Sequence, residues 1–173
     1  MTADAPLPGA SAPPPGAHLD TYVDLLKYRI IGESPDDVIH CEPRWLVFTS
    51  KNGYKNASYA EVTLTNHDEF KVAWCIKSKE KVMRVSQTHG ILKGGESTVL
   101  TVCINPSDDW PRDIAEYIGK RIKIVVENLR IPDSITPNNK LESIRMSKEI
   151  FHYTATNNPL IRMFTKINIV FDQ

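Results

Sequence analysis

The side chains that could do chemistry are His, Cys and paired carboxylates, and their spacing argues against it. His18, His40, His67, His89 and His152 stand apart, none at metal-ligand spacing to another His or Cys. His40 and Cys41 adjoin in an extended stretch, where neighbouring side chains point to opposite faces. Cys41, Cys75 and Cys103 form no C-x-x-C unit, and three thiols cannot all pair. Gly94-Gly95 lacks the Lys, the Ser/Thr and the helix that would aim amides at a phosphate. No G-x-S-x-G, Walker-type loop or G-x-G-x-x-G occurs. Asp108-Asp109 reads as a cap for a following helix, not as a carboxylate pair for acid–base work. The sequence therefore predicts no enzyme: no catalytic residue, no metal and no cofactor.

Charge narrows the partners. Twenty-one basic residues balance 21 acidic ones, so broad capture of nucleic acid is not expected. The basic run Lys120-Arg121-Ile122-Lys123 sends its side chains to both faces of a strand, which makes the patch smaller than it looks. No stretch reaches the roughly 20 apolar residues of a membrane span, and no secretory leader is visible. With unpaired cysteines, this reads as a cytoplasmic protein without a transmembrane anchor.

The elements that position any site are mostly strands. Ala60, Val62 and Leu64 alternate with polar residues, as do Phe70, Val72, Trp74 and Ile76, then Leu100, Val102 and Ile104. A period of two marks strands that bury one side. Gly94-Gly95 predicts a hairpin-type turn before the third of these segments. Earlier, Val38–Glu42 and Trp45–Phe48 read as extended, and Pro43 between them predicts a strand that breaks or switches sheets. Later, Arg112–Ile118 reads as a short helix and Arg121–Asn128 as a strand. Pro132–Lys148 reads as a long polar loop with Arg145-Met146-Ser147 as a weak phosphorylation signal, and Glu149–Tyr153 and Lys166–Asp172 read as strands.

Residues 1–17, rich in Pro and Ala, form a disordered tail in this reading. Residues 18–37 form a short helix and linker, since Leu19, Val23, Leu26 and Ile30 recur on one helical face. Residues 38–173 form the β domain. Many short strands with few helices indicate an antiparallel sandwich.

On the faces turned away from the core, parity places Lys71, Ala73, Cys75 and Lys77 in one strand, Lys123, Val125 and Glu127 in another, and Lys166, Asn168 and Val170 in the last. If these strands adjoin, they offer cationic points around a shallow apolar patch, suited to an extended acidic peptide with an apolar anchor. The competing reading is an ordinary solvated sheet face, on which lysine is common.

From Val38 to Gln173 the order of features resembles the major sperm protein domain, shared by nematode sperm cytoskeletal proteins and the VAMP-associated proteins. The matching pieces are Glu42-Pro43 with Leu46-Val47-Phe48, Val62–Asn66, Val72–Ser78, Val85 to Leu92, Gly94-Gly95-Glu96, Arg121–Asn128 and Ile167–Phe171. The resemblance implies an all-β, immunoglobulin-like, seven-stranded sandwich of the PapD-like kind, without enzymatic activity. In the VAMP-associated branch a cationic face binds acidic segments with two phenylalanines, called FFAT motifs. That face would fall on Lys77, Ser78, Lys123, Val125 and Lys166. Val125 stands where that branch carries methionine, Lys79 where it has threonine, and Gln87 where a turn proline is usual.

Two functions follow from the resemblance. The first is a cytoskeletal or filament-associated protein acting by self-association, as dimer or filament, in the manner of nematode sperm motility. The second is an adaptor for acidic FFAT-like motifs.

Overall fold

The computed structural model describes residues 38–157 and 163–172. The tail and the helical repeat expected within residues 1–37 lie outside the described residues. Nine strands and one long helix follow in order: β1 (Ile39–Glu42), β2 (Trp45–Thr49), β3 (Ser58–Asn66), β4 (Lys71–Ser78), β5 (Met83–Val85), β6 (His89–Leu92), β7 (Ser97–Ile104), β8 (Arg121–Ile131), α1 (Lys140–Asn157) and β9 (Met163–Asp172). They form a four-stranded sheet, β1-β3-β7-β5, and a five-stranded sheet, β2-β9-β8-β4-β6. All pairings are antiparallel except β2 with β9.

The interior is the one that alternation predicts. Val62, Leu64, Leu100, Val102 and Ile104 from one sheet meet Val72, Trp74, Ile122, Ile124, Val126, Ile167, Ile169 and Phe171 from the other. Removing these side chains from water is the main force closing the sandwich. Pro43 does mark a change of sheet, since β1 belongs to the four-stranded sheet and β2 to the five-stranded one. The cysteines are free thiols, and burial pushes the Cys41 thiol up to about 12.

Several expectations need correction. There are nine strands among the described residues, not the seven that the resemblance implies, and of these the short β5 and β6 show too few alternations to be read from the sequence. Gly94-Gly95 is not a hairpin, because β6 and β7 lie in different sheets and the turn hands the chain from one layer to the other. Gly95 there has φ +80°, and a Cβ on Gly94 would come within 2.9 Å of the Glu69 carbonyl oxygen. Only a single 3-10 turn, Ile114–Glu116, forms where a helix was expected after Asp108-Asp109. It is preceded by Asp113, whose backbone N–H donates to the Glu116 carboxylate at 3.3 Å.

The largest correction is α1. Residues 140–157 form one helix where a polar loop and a strand were expected. It lies on the outer face of the five-stranded sheet, where Ile150, Phe151 and Tyr153 bury Ala73, Cys75, Ile91, Leu129 and Ile131 in a second apolar cluster. Ser147 is fully buried and its hydroxyl donates to the Trp74 carbonyl at 2.9 Å, so it is no exposed phosphorylation site. The last strand likewise begins earlier than expected, at Met163.

Gly90 of β6 passes close to the Trp74 ring: a Cβ there would stand 2.6 Å from Trp74 Cζ2. Trp74 is itself buried and cannot swing aside. Gly90→Ala should therefore destabilise the domain by about 1–3 kcal/mol, read as a lowered urea midpoint with unchanged slope.

Candidate binding face

Strand register assembles the site. Lys77 of β4 pairs with Val125 of β8, and Val125 pairs on its other side with Lys166 of β9. The row Lys166–Val125–Lys77 therefore runs across three adjacent strands, with an aliphatic side chain between two ammonium groups. One step along, Lys123 pairs with Asn168, which pairs with Trp45 of β2. The next row is Arg121, Val170 and Val47. The intervening residues Ile122, Ile124, Ile167 and Ile169 point into the core, so these rows share the outer face.

Helix α1 divides that face in two. It covers the half carrying Ala73, Cys75, Leu129 and Ile131. Lys71, placed by parity among the outward lysines, is buried there, and its ammonium donates to the backbone carbonyls of Asp133 at 3.3 Å and Ile135 at 2.6 Å. Ala73 and Cys75 are likewise corrected from solvent-facing to buried. The other half stays open and unusually apolar for a solvated surface: Trp45 is 53% exposed, Val47 62% and Phe164 42%.

Cations sit among these groups. The Arg121 guanidinium lies 6.0 Å from the centre of the Trp45 ring, and the Lys166 ammonium 5.4 Å from that of Phe164. Lys77 makes an ion pair with Glu127 at 2.7 Å while its side chain remains 57% exposed. Lys123 is exposed and has no ion-pair partner among the described residues.

Beside these rows, the end of β4, the 112–120 segment and the start of β8 enclose an open groove of about 920 Å³. Ile76, Tyr117 and Ile122 line it together with Lys77, Lys79, Arg112, Lys120, Arg121 and Lys123, against only Glu80 and Glu116. Burial raises the Tyr117 phenol, which keeps it neutral. The local field is thus positive although the whole chain is neutral, and it favours an anionic ligand.

Of the five residues singled out from the sequence, Lys77, Ser78, Lys123 and Val125 border this groove. Lys166 lies on the far side of Val125, outside it. The Ser78 hydroxyl is engaged locally, donating to the Glu80 carbonyl at 3.2 Å and accepting from the Glu80 N–H at 3.3 Å. Trp45, Val47, Arg121 and Phe164 were missed. Parity could have found the first three, since they alternate with the buried Leu46, Phe48 and Ile122. Among the described residues no cluster of three or more His, Cys, Asp or Glu could hold a metal ion.

Two layers of this topology, closed over an apolar core, define an immunoglobulin-like sandwich of the PapD and major sperm protein kind. The description "MSP (Major sperm protein) domain" matches residues 38–149, and the chain belongs to that family. Among solved structures, WR4, a C. elegans MSP family member, is similar over 78% of this chain and 97% of its own, at 15% identity and TM-score 0.51. SSP-19, an MSP-domain protein like family member in Caenorhabditis elegans, is similar over 75% and 97%, at 14% identity and TM-score 0.49. The ASH / PapD-like domain 7 of human CEP192 is similar over 83% and 89%, at 13% identity and TM-score 0.49. Comparison with curated proteins gives no match. At these identities WR4 speaks for the fold alone. The family membership makes this a domain for protein–protein interaction of a non-catalytic kind. No helix among the described residues is long and apolar enough to cross a membrane.

Proposed function

We propose that this chain is a cytoplasmic, non-enzymatic adaptor whose open half-face binds acidic protein segments bearing an aromatic anchor, as FFAT-like motifs do. The observation that carries this reading is the row Lys166–Val125–Lys77, with Lys123 one step along. An extended acidic segment laid across β9, β8 and β4 would set its carboxylates on the lysines and an aromatic side chain on Val125. Residues 77, 78, 123, 125 and 166 are the proposed contacts.

A second observation favours the cytoskeletal reading. Among the described residues β2 is an edge strand whose one strand neighbour is β9, and it exposes Trp45 and Val47. An apolar edge of this kind suits contact with another copy in a dimer or filament.

One experiment separates the two: an acidic phenylalanine-containing peptide is titrated into the full chain while sedimentation velocity follows its mass. The adaptor reading expects saturable binding to a monomer, with affinity falling as salt is added. Concentration-dependent assembly with no peptide binding would instead establish self-association.

A further inference from the structure

The groove beside the lysine rows carries more positive charge than the row Lys166–Val125–Lys77 accounts for. Lys77, Lys79, Arg112, Lys120, Arg121 and Lys123 line it against Glu80 and Glu116. Glu127, from outside the groove, offsets Lys77 through their ion pair. Six cations against these three carboxylates leave three positive charges over. Among the described residues, Lys79, Arg112, Lys120 and Lys123 have no ion-pair partner.

The segment that supplies Arg112, Tyr117 and Lys120 is fixed in place. The Tyr117 N–H donates to the Ile114 carbonyl at 2.9 Å, the Gly119 N–H to the Phe171 carbonyl at 2.9 Å and the Lys120 N–H to the Tyr117 carbonyl at 3.2 Å. The Tyr117 ring packs edge-on against Trp110 at 5.2 Å. Its hydroxyl is the odd group. Tyr117 is only 4% exposed, and among the described residues its hydroxyl has no hydrogen-bond partner, whereas a buried phenol ordinarily finds one. The charges that bear on it belong to Glu80, Arg112 and Glu116, all residues of the groove. The groove thus combines surplus cations with a neutral donor that lacks an acceptor.

Charge spacing selects the ligand. A groove of about 920 Å³ is roughly 10 Å across, whereas an extended segment turns every second residue to one face about 7 Å apart, so one or two carboxylates fit. Each phosphate brings about −1.5 to −2 charges and three acceptor oxygens, so two of them on one small ring supply the missing charge and an acceptor for Tyr117. The guanidinium groups of Arg112 and Arg121 match phosphate oxygens in pairs. We propose that this groove binds a compact polyphosphate, a small polyol ring carrying two or more phosphates, with Arg112, Tyr117 and Lys120 as its distinguishing contacts. Ile76 and Ile122 give the ring an apolar wall. The site does not rest on the acidic-segment reading, but it shares Lys77, Ser78, Lys123 and Val125 with the proposed peptide contacts, so the two ligands would compete.

The test titrates inositol trisphosphate into the full chain, its Tyr117→Phe variant and its Arg112→Ala/Lys120→Ala variant. Tyr117→Phe should weaken binding about tenfold, the size of a hydrogen bond to a charged group, and leave the urea midpoint unmoved or raised, since the hydroxyl gives up no partner. Arg112→Ala/Lys120→Ala should weaken it about 20-fold, both side chains being exposed. Phosphatidylcholine vesicles carrying phosphatidylinositol bisphosphate separate the sources: capture on them assigns a lipid headgroup, and trisphosphate binding without capture assigns a soluble ligand, each in support. Equal affinity in all three chains would overturn the proposal, because the contacts would then be with scattered lysines. An acidic phenylalanine-containing peptide is titrated in parallel. Peptide bound and trisphosphate ignored would overturn the polyphosphate site and leave the adaptor reading standing. Trisphosphate bound with the losses expected and peptide ignored would support the site and sink the adaptor reading.

Discussion

Lys77→Asp together with Lys123→Asp should weaken capture of an acidic phenylalanine-containing peptide by about 30-fold. Each side chain is exposed, so each lost attraction is worth at most about 1 kcal/mol, and reversal adds repulsion of similar size; together they reach about 2 kcal/mol after solvent screening. The effect should shrink with salt, because at 0.1 M charges are screened beyond about 10 Å. The two positions differ in their surroundings. Lys77 already neutralises Glu127, so an aspartate there meets a second carboxylate, whereas Lys123 has no such neighbour. The single Lys123→Asp change should therefore leave the melting temperature unmoved and account for about half of the loss in binding. Unchanged affinity in the double variant, measured by calorimetric titration, would remove the lysine rows from the account.

The second large effect concerns the helix that closes the other half of the face. Phe151→Ala should cost about 3–5 kcal/mol of stability, the range for emptying a buried aromatic site. Phe151 is buried with Ile150 and Tyr153 against Ala73, Cys75, Leu129 and Ile131, and its ring meets His89 edge-on at 6.3 Å. His89 shares in this burial, which lowers its pKa, with Lys148 and Lys77 adding to the shift. Urea unfolding measures the loss. Peptide affinity at low urea should not change, because Lys77, Lys123, Val125 and Lys166 lie outside the helix's footprint. A loss below about 1 kcal/mol would mean that α1 rests on the sheet without being part of the packed structure.

How far the sequence could be read follows from period. Ile122, Ile124 and Val126, and Ile167, Ile169 and Phe171, alternate without interruption, so their inward direction and the outward direction of Lys123, Val125 and Lys166 were legible. The adjacency of β4, β8 and β9 was not: it depends on pairings between residues as far apart as Lys71 and Ile131, which alternation within one strand does not encode. α1 was missed for a different reason. Its buried stripe includes Ser147 and Thr154, so the apolar period of 3.6 is broken by hydroxyls, while Glu149–Tyr153 is a short, largely apolar run that suits a strand as well as a helix. The signal lay on the sheet instead. Ala73, Cys75, Leu129 and Ile131 are too apolar for a face left to water, and the small side chains of Ala73 and Cys75 permit a close helix. Lys71 misled for the same reason, since parity cannot tell a lysine that caps buried carbonyls from one in solvent.

The central claim is that acidic segments bind across β9, β8 and β4 on the half-face that α1 leaves open. Backbone amide shifts of the isotope-labelled full chain, followed while an acidic phenylalanine-containing peptide is added, test it most directly. The account predicts shifts concentrated at Phe164–Val170, Arg121–Glu127 and Lys77–Lys79, with the β1-β3-β7-β5 sheet unmoved. Shifts confined to that four-stranded sheet, or none at saturating peptide, would contradict it.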